Sequence, residues 1–175
     1  MAKNDIEALT LRAIIIDSHN KIPFIRSHTG WFGLPGGHIK KSEVGEGIEL
    51  IDFKTPLPLV REIREECLGL DISQSPSACL GIVETFVTFE AQPPTHQTVI
   101  LYLIKHPEPI SVNRSRKLSL FDVKNLPTPL FPDAQAAFER LSRGGFGPII
   151  PEFLNKNPSS IKKFEMTSKR VGYLP

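Results

Sequence analysis

Two cysteines in 175 residues are too few for a disulfide scaffold. Cys67 and Cys79 also lack partners at the short spacing a zinc site needs, so both are expected to be buried thiols. No apolar run approaches the ~18 residues of a membrane span. The opening MAKNDIEALT has neither the basic start nor the apolar stretch of a signal peptide, so a reducing, cytoplasmic location is expected. An excess of one charge is missing too. The 21 basic side chains nearly balance 19 acidic ones, and a net +2 is too mild for a nucleic-acid coat or a polybasic membrane anchor. Any phosphate recognition must be local. Internal repeats and low-complexity blocks are absent.

What remains is a chain of 40% apolar composition and 23% charge, the makeup of one globular domain with a single sizeable core. LTLRAIIID (9–17) alternates and then runs apolar up to Ser18, His19 and Asn20, a strand and turn; KIPFIRS (21–27) is expected to pair back across that turn. GWFGL (30–34) leads into Pro35, Gly36 and Gly37, where the chain must bend sharply or approach something closely. Further strands are expected over 78–89, 98–105 and 116–123, and a helix over 133–143 with Asp133 near its start. The last thirty or so residues are broken by Gly and Pro, an extension laid on the domain or partly disordered.

The chemistry concentrates in LPLVREIREECL. Thr55 offers an N-cap hydroxyl, Pro56 presets the first turn, and Leu59, Ile63 and Cys67 form an apolar stripe, so a helix is expected from about 56 to 68, with Gly69 as its stop. On that helix Glu62, Glu65 and Glu66 share one face, where like charges repel unless something positive sits between them. Hard divalent ions such as Mg²⁺ take oxygen ligands and are commonly held by carboxylates together with substrate phosphates. The plain alternative is a solvated Glu/Arg helix face.

The stretch resembles the Nudix hydrolase signature, Gx5Ex7REUxEExGU with U aliphatic. Gly37 is followed by HIKKS and Glu43, then by Arg61, Glu62, Ile63, Arg64, Glu65 and Glu66, and shortly by Gly69 and Leu70; WFGLPGGH resembles the usual approach to that box. Two departures stand out. Residues 44–60 number seventeen where the family has seven, and two residues, Cys67 and Leu68, separate Glu66 from Gly69 where the family has one. Glu43 keeps the family's distance from Gly37, whereas Gly45 and Glu46 better match its usual Gly-Glu pair; Glu43 is preferred and Glu46 stays open.

The resemblance implies an α/β/α sandwich with a mixed β-sheet, the acidic helix packed on it and its glutamates bordering a cleft. The domain would span 1–145, with 44–54 as an insertion within the box and 146–175 as a C-terminal extension. It implies Mg²⁺, with Mn²⁺ as the alternative, held by Glu62, Glu65, Glu66 and the Gly36 carbonyl. Arg61 would pair with Glu43 and steady the loop. Arg26 stands where relatives often have a phosphate-contacting arginine, with an ordinary surface arginine as the rival reading. A general base often comes from outside the helix; Glu84, which interrupts an apolar strand, is the first candidate, with Glu90 and Glu108 behind it. Trp31 and Phe32 are expected to anchor the core beside the loop, with stacking on a base as the rival reading.

The implied activity is hydrolysis of the pyrophosphate linkage of a nucleoside diphosphate joined to another group, a nucleoside triphosphate or nucleotide sugar among the options. Water would be the nucleophile, since nothing here resembles an activated serine or cysteine. The implied partner is a small-molecule nucleotide, bound by a monomer or homodimer. The alternative is a non-catalytic Nudix-like module that binds a nucleotide as a sensor or interaction domain.

Overall fold

A computed structural model of the chain describes residues 8–39, 55–87, 95–112, 117–142 and 170–171. The 44–54 insertion, Glu43, Glu46, Glu90 and the C-terminal extension apart from 170–171 lie outside the described residues. In chain order the elements are β1 (Ala8–Ile16), β2 (Lys21–Arg26), β3 (Phe32–Gly33), β4 (Gly36–His38), α1 (Leu57–Glu66), β5 (Ser77–Val87), β6 (Thr95–Lys105), β7 (Leu118–Asp122), α2 (Pro132–Ser142) and β8 (Arg170–Val171). Two sheets result. One is mixed, in the order β4-β1-β6-β5-β8, and the other is antiparallel, in the order β3-β2-β7. Among the described residues no helix is long and apolar enough to cross a membrane.

The central strands explain the layering. Along β1 and β6, Leu11, Ala13, Ile15, Ile100, Tyr102 and Ile104 point to one face and meet Leu59, Val60, Ile63 and Cys67 around α1. Ile14, Ile16, Val99, Leu101 and Leu103 point to the other and meet Ala134 and Ala137 of α2. A strand buried on both faces reads as a continuous apolar run, which is the pattern in AIII and VILYLI. The sheet is thus sandwiched between two helices, α/β/α as expected. Leu59 and Ile63 are fully buried, and each contributes about 1.5–3 kcal/mol to holding α1 on the sheet.

One strand pairing differs from expectation. The turn after β1 forms: Asp17 Oδ1 accepts the N–H groups of His19 and Lys21 at 2.8 Å, and Asn20 takes φ 57°. Yet β2 does not continue beside β1. Strand β6, apolar on both faces, lies parallel to β1 along nine residue pairs, and β4 takes the other edge. With both edges of β1 filled, β2 pairs with β3 and β7 instead.

Helix α1 ends within two residues of its expected limits, but its start is built differently. Pro56 occupies the N-cap position and no side chain caps the helix. The Thr55 hydroxyl is buried and has no hydrogen-bond partner among the described residues. At the other end Leu68 adopts φ 57° and the Gly69 N–H donates to Arg64 O at 2.8 Å. The chain thus turns out of the helix one residue before the expected Gly69, which is how the extra residue between Glu66 and Gly69 is absorbed.

Candidate active site

The register of β4 on β1 sets the site. Arg12 lies opposite Gly36, Leu11 opposite Gly37 and Thr10 opposite His38. Helix α1 packs beside this edge, and the Glu66 carboxylate accepts the Gly36 N–H at 2.9 Å. Each glycine is required for a different reason. Gly36 has φ +134°, and a Cβ there would stand 2.1 Å from the Leu11 carbonyl oxygen. A Cβ on Gly37 would stand 2.3 Å from Glu62 Oε2. The first glycine lets two backbones approach; the second leaves room for a glutamate to lie on the turn.

Arg61 sits among the acids. Its Nη1 is 2.5 Å from Glu62 Oε1 and 3.7 Å from Glu65 Oε1, and Nη2 reaches the His38 carbonyl at 3.5 Å. The expected partner of Arg61, Glu43, lies outside the described residues. Glu65 is over half exposed, whereas Glu62 is held down at 17%. The carboxyl of Glu66 is pushed above the usual carboxylate range, by burial first. The Gly36 N–H and the Arg12 guanidinium pull it back, and the neighbouring Glu62 and Glu65 charges push it up.

The donors fit a hard divalent cation in kind. Carboxylates of Glu62 and Glu66 lie against Gly37 and Gly36, oxygens of the kind such an ion takes, and like charges crowd there, whereas the Gly36 carbonyl, the expected fourth ligand, accepts from Arg12 Nη1. They do not close around one point: among the described residues no three His, Cys, Asp or Glu side chains stand close enough to hold one ion. Arg61 bridges Glu62 and Glu65 instead. Cys67 is no rival nucleophile, because its thiol is pushed up to about 12, by burial and then by Glu66.

The other expected residues are spread more widely. Glu84 faces Thr98 across β5 and β6 and, two residues on from Ile82, shares the sheet face that carries α1. Strands β6 and β1 separate it from β4, roughly 14 Å at ordinary strand spacing. Glu108 is exposed beyond the far end of β6. Arg26 closes β2 with its guanidinium 5.8 Å from the centre of the Phe32 ring, on an open cleft of about 460 Å³ that it shares with His28 and Lys117. Phe32 packs against Phe121 at 5.2 Å and anchors the core, whereas Trp31 meets Phe131 at 5.9 Å beside it and is half-buried.

Sequence reasoning missed Arg12 and Asp133. Nη1 of Arg12 donates to the carbonyls of Leu34 at 3.2 Å and Gly36 at 2.5 Å, and Nε to Asp133 Oδ2 at 3.2 Å. The signal was available: a charged residue inside a strand buried on both faces must find partners.

Comparison with solved structures shows that the chain has the fold of the Nudix hydrolases. A MutT Nudix hydrolase from Burkholderia pseudomallei aligns with a TM-score of 0.52 and 24% identity, covering 77% of this chain and 97% of its own. The Nudix domain of Shewanella oneidensis NrtR, solved in complex with ADP-ribose, aligns with a TM-score of 0.52 and 16% identity, covering 78% and 87%. No protein-family model and no curated protein matches the chain.

Proposed function

We propose that this Nudix-fold chain is a hydrolase that cleaves the pyrophosphate linkage of a nucleoside diphosphate joined to another group, using Mg²⁺ or Mn²⁺. One observation carries the reading. Two stretches that resemble the family's signature, LPGG and REIREE, fold against each other so that Gly36 donates to Glu66 and Gly37 makes room for Glu62. A solvated helix face would leave these glutamates pointing into water.

Glu62, Glu65, Glu66 and the Gly36 carbonyl are the proposed ligands. The bound ion would neutralise diphosphate charge and polarise phosphorus toward attack by water. Arg61 holds Glu62 against the turn, and Glu43 is its proposed second partner, in the segment outside the described residues. Arg26 is the proposed contact to a substrate phosphate, from a cleft that His28 helps to line and where Lys117 adds positive potential. Glu84 is the proposed acceptor of the proton released by the attacking water. The domain assigned to this activity is 1–145, with 44–54 inserted in the box and 146–175 appended.

A non-catalytic nucleotide-binding module is the second reading. Two observations favour it: the carboxylates do not close on one point, and the similar NrtR domain was solved holding ADP-ribose. A single screen separates the two. Phosphate release from a panel of diphosphate compounds, including nucleoside triphosphates, nucleotide sugars and ADP-ribose, is measured with Mg²⁺ and with EDTA. Metal-dependent release from at least one compound is expected. Tight binding of a compound with no release under any metal would establish the module instead.

A further inference from the structure

We infer that Arg12 is a positioning residue for the glutamate site: its guanidinium ties the glycine turn to the start of α2 and so fixes the Gly36 peptides against which Glu66 is aligned. This rests on the reading of the site as metal-binding.

Arg12 lies in the middle of β1, on the opposite face from Leu11 and Ala13, and its side chain is only 23% exposed. A cation in such a place is costly unless its donors are used. Three contacts use them. The two carbonyls reached by Nη1, Leu34 and Gly36, flank the Pro35–Gly36 peptide, so one nitrogen spans the turn. Nε meets Asp133, whose side chain is 9% exposed and whose Oδ1 accepts the Ala134 N–H at 2.8 Å. The aspartate is thereby fixed to the first turn of α2.

Gly36 is held from both sides. Its carbonyl accepts from Arg12 and its N–H donates to Glu66. The connection runs without a gap from α2 through Asp133, Arg12 and Gly36 to Glu66 on α1, across the edge of the sheet. Of the two carbonyls Arg12 reaches, that of Gly36 belongs to the peptide joining the two glycines that seat Glu62 and Glu66, and that of Leu34 lies two residues before the first of them. Lysine could not replace it, since a single ammonium cannot hold two carbonyls and a carboxylate in the planes a guanidinium fork serves. Groups that orient ligands in this way typically change metal affinity or activity by about 10–100-fold when lost.

The test uses the full chain with Arg12→Lys, Arg12→Ala and Asp133→Asn. Mn²⁺ affinity is measured without substrate by electron paramagnetic resonance; kcat and KM are measured with Mg²⁺ on the best compound of the diphosphate panel, and melting temperature on each variant. Arg12→Lys is expected to lose about tenfold or more in Mn²⁺ affinity and in kcat, with KM changed by less than about threefold. Arg12→Ala should lose more and regain part of its turnover when millimolar guanidinium is added. Asp133→Asn should shift in the same direction by less. If Arg12→Lys and Asp133→Asn fold and keep parental Mn²⁺ affinity and kcat, Arg12 only stabilises the fold and the inference is wrong. If the parent itself binds no Mn²⁺, the metal reading of the site fails, and this inference fails with it.

Discussion

Replacing Gly37 by alanine separates the chemistry of the turn from its stability. The added Cβ would lie 2.3 Å from Glu62 Oε2, 2.4 Å from Cδ and 2.9 Å from Cγ. Ordinary contact needs about 3.4 Å or more, so the Glu62 carboxyl must retreat by roughly 1 Å. What gives way is the tip of a flexible, partly exposed side chain. The folding cost should therefore stay near ~1 kcal/mol. The chemical cost should be far larger, because a ligand misplaced by about 1 Å can cost ~10²-fold in rate, or ~2.7 kcal/mol of barrier. Gly36→Ala is the control with the opposite balance. Its Cβ would meet the Leu11 carbonyl oxygen at 2.1 Å and the Arg12 Cα at 3.0 Å, backbone atoms of a central strand, at φ +134°. Strain and overpacking together put that loss at ~3 kcal/mol or more. Thermal melting and Mg²⁺-dependent turnover of both variants give the comparison. A folded Gly37→Ala protein with turnover within about threefold of the parent would refute the placement of Glu62 in the site.

Three further outcomes follow from the placements. Between Glu84→Gln and Glu90→Gln, the variant lacking the general base should be slower by ~10²-fold or more across the pH profile, and Glu84 is expected to be that residue; near-normal rates in both would return the role to a helix glutamate. Leu68, half exposed at φ 57°, should gain about 0.5–1 kcal/mol on replacement by Asn or Gly, seen as a melting temperature raised by a few degrees; a lowered one would show that its side chain is needed for packing. Replacing Val44 to Lys54 by a short linker should preserve folding and Mg²⁺ affinity while changing substrate ranking or oligomeric state; a folded protein with much weaker Mg²⁺ binding would place the insertion in the metal site.

The parts of this site that were legible in the sequence are those written in local patterns. Leu59, Ile63 and Cys67 announced the buried face of α1 by their spacing, and all three are buried. Gly36 and Gly37 announced a sharp bend or a close approach, and it is the close approach that both have, within strand β4. What each glycine approaches was not legible, because it depends on β4 pairing with β1 and on α1 packing beside them. Arg12 shows the same limit more sharply. Its partners stand 22, 24 and 121 residues away, and no local window contains them. The pairing of β1 failed for a related reason: turn chemistry at Asp17 fixes a reversal, but the edge of β1 is claimed by β6, whose Gln97 lies opposite Ala8. Thr55 erred the other way, a good capping residue one position too early for the helix that formed.

The claim that the α1 glutamates hold the cation that hydrolysis needs is tested most directly by the turnover of Glu66→Gln. Glutamine keeps the shape of the side chain and an oxygen to accept the Gly36 N–H, while the negative charge is lost. Because burial already opposes that charge in the folded protein, the neutral side chain should not lower stability. Turnover of the best panel compound with Mg²⁺ is then expected to fall by ~10²-fold or more at an unchanged melting temperature. Turnover within about threefold of the parent, a barrier change under ~0.7 kcal/mol, would contradict the account.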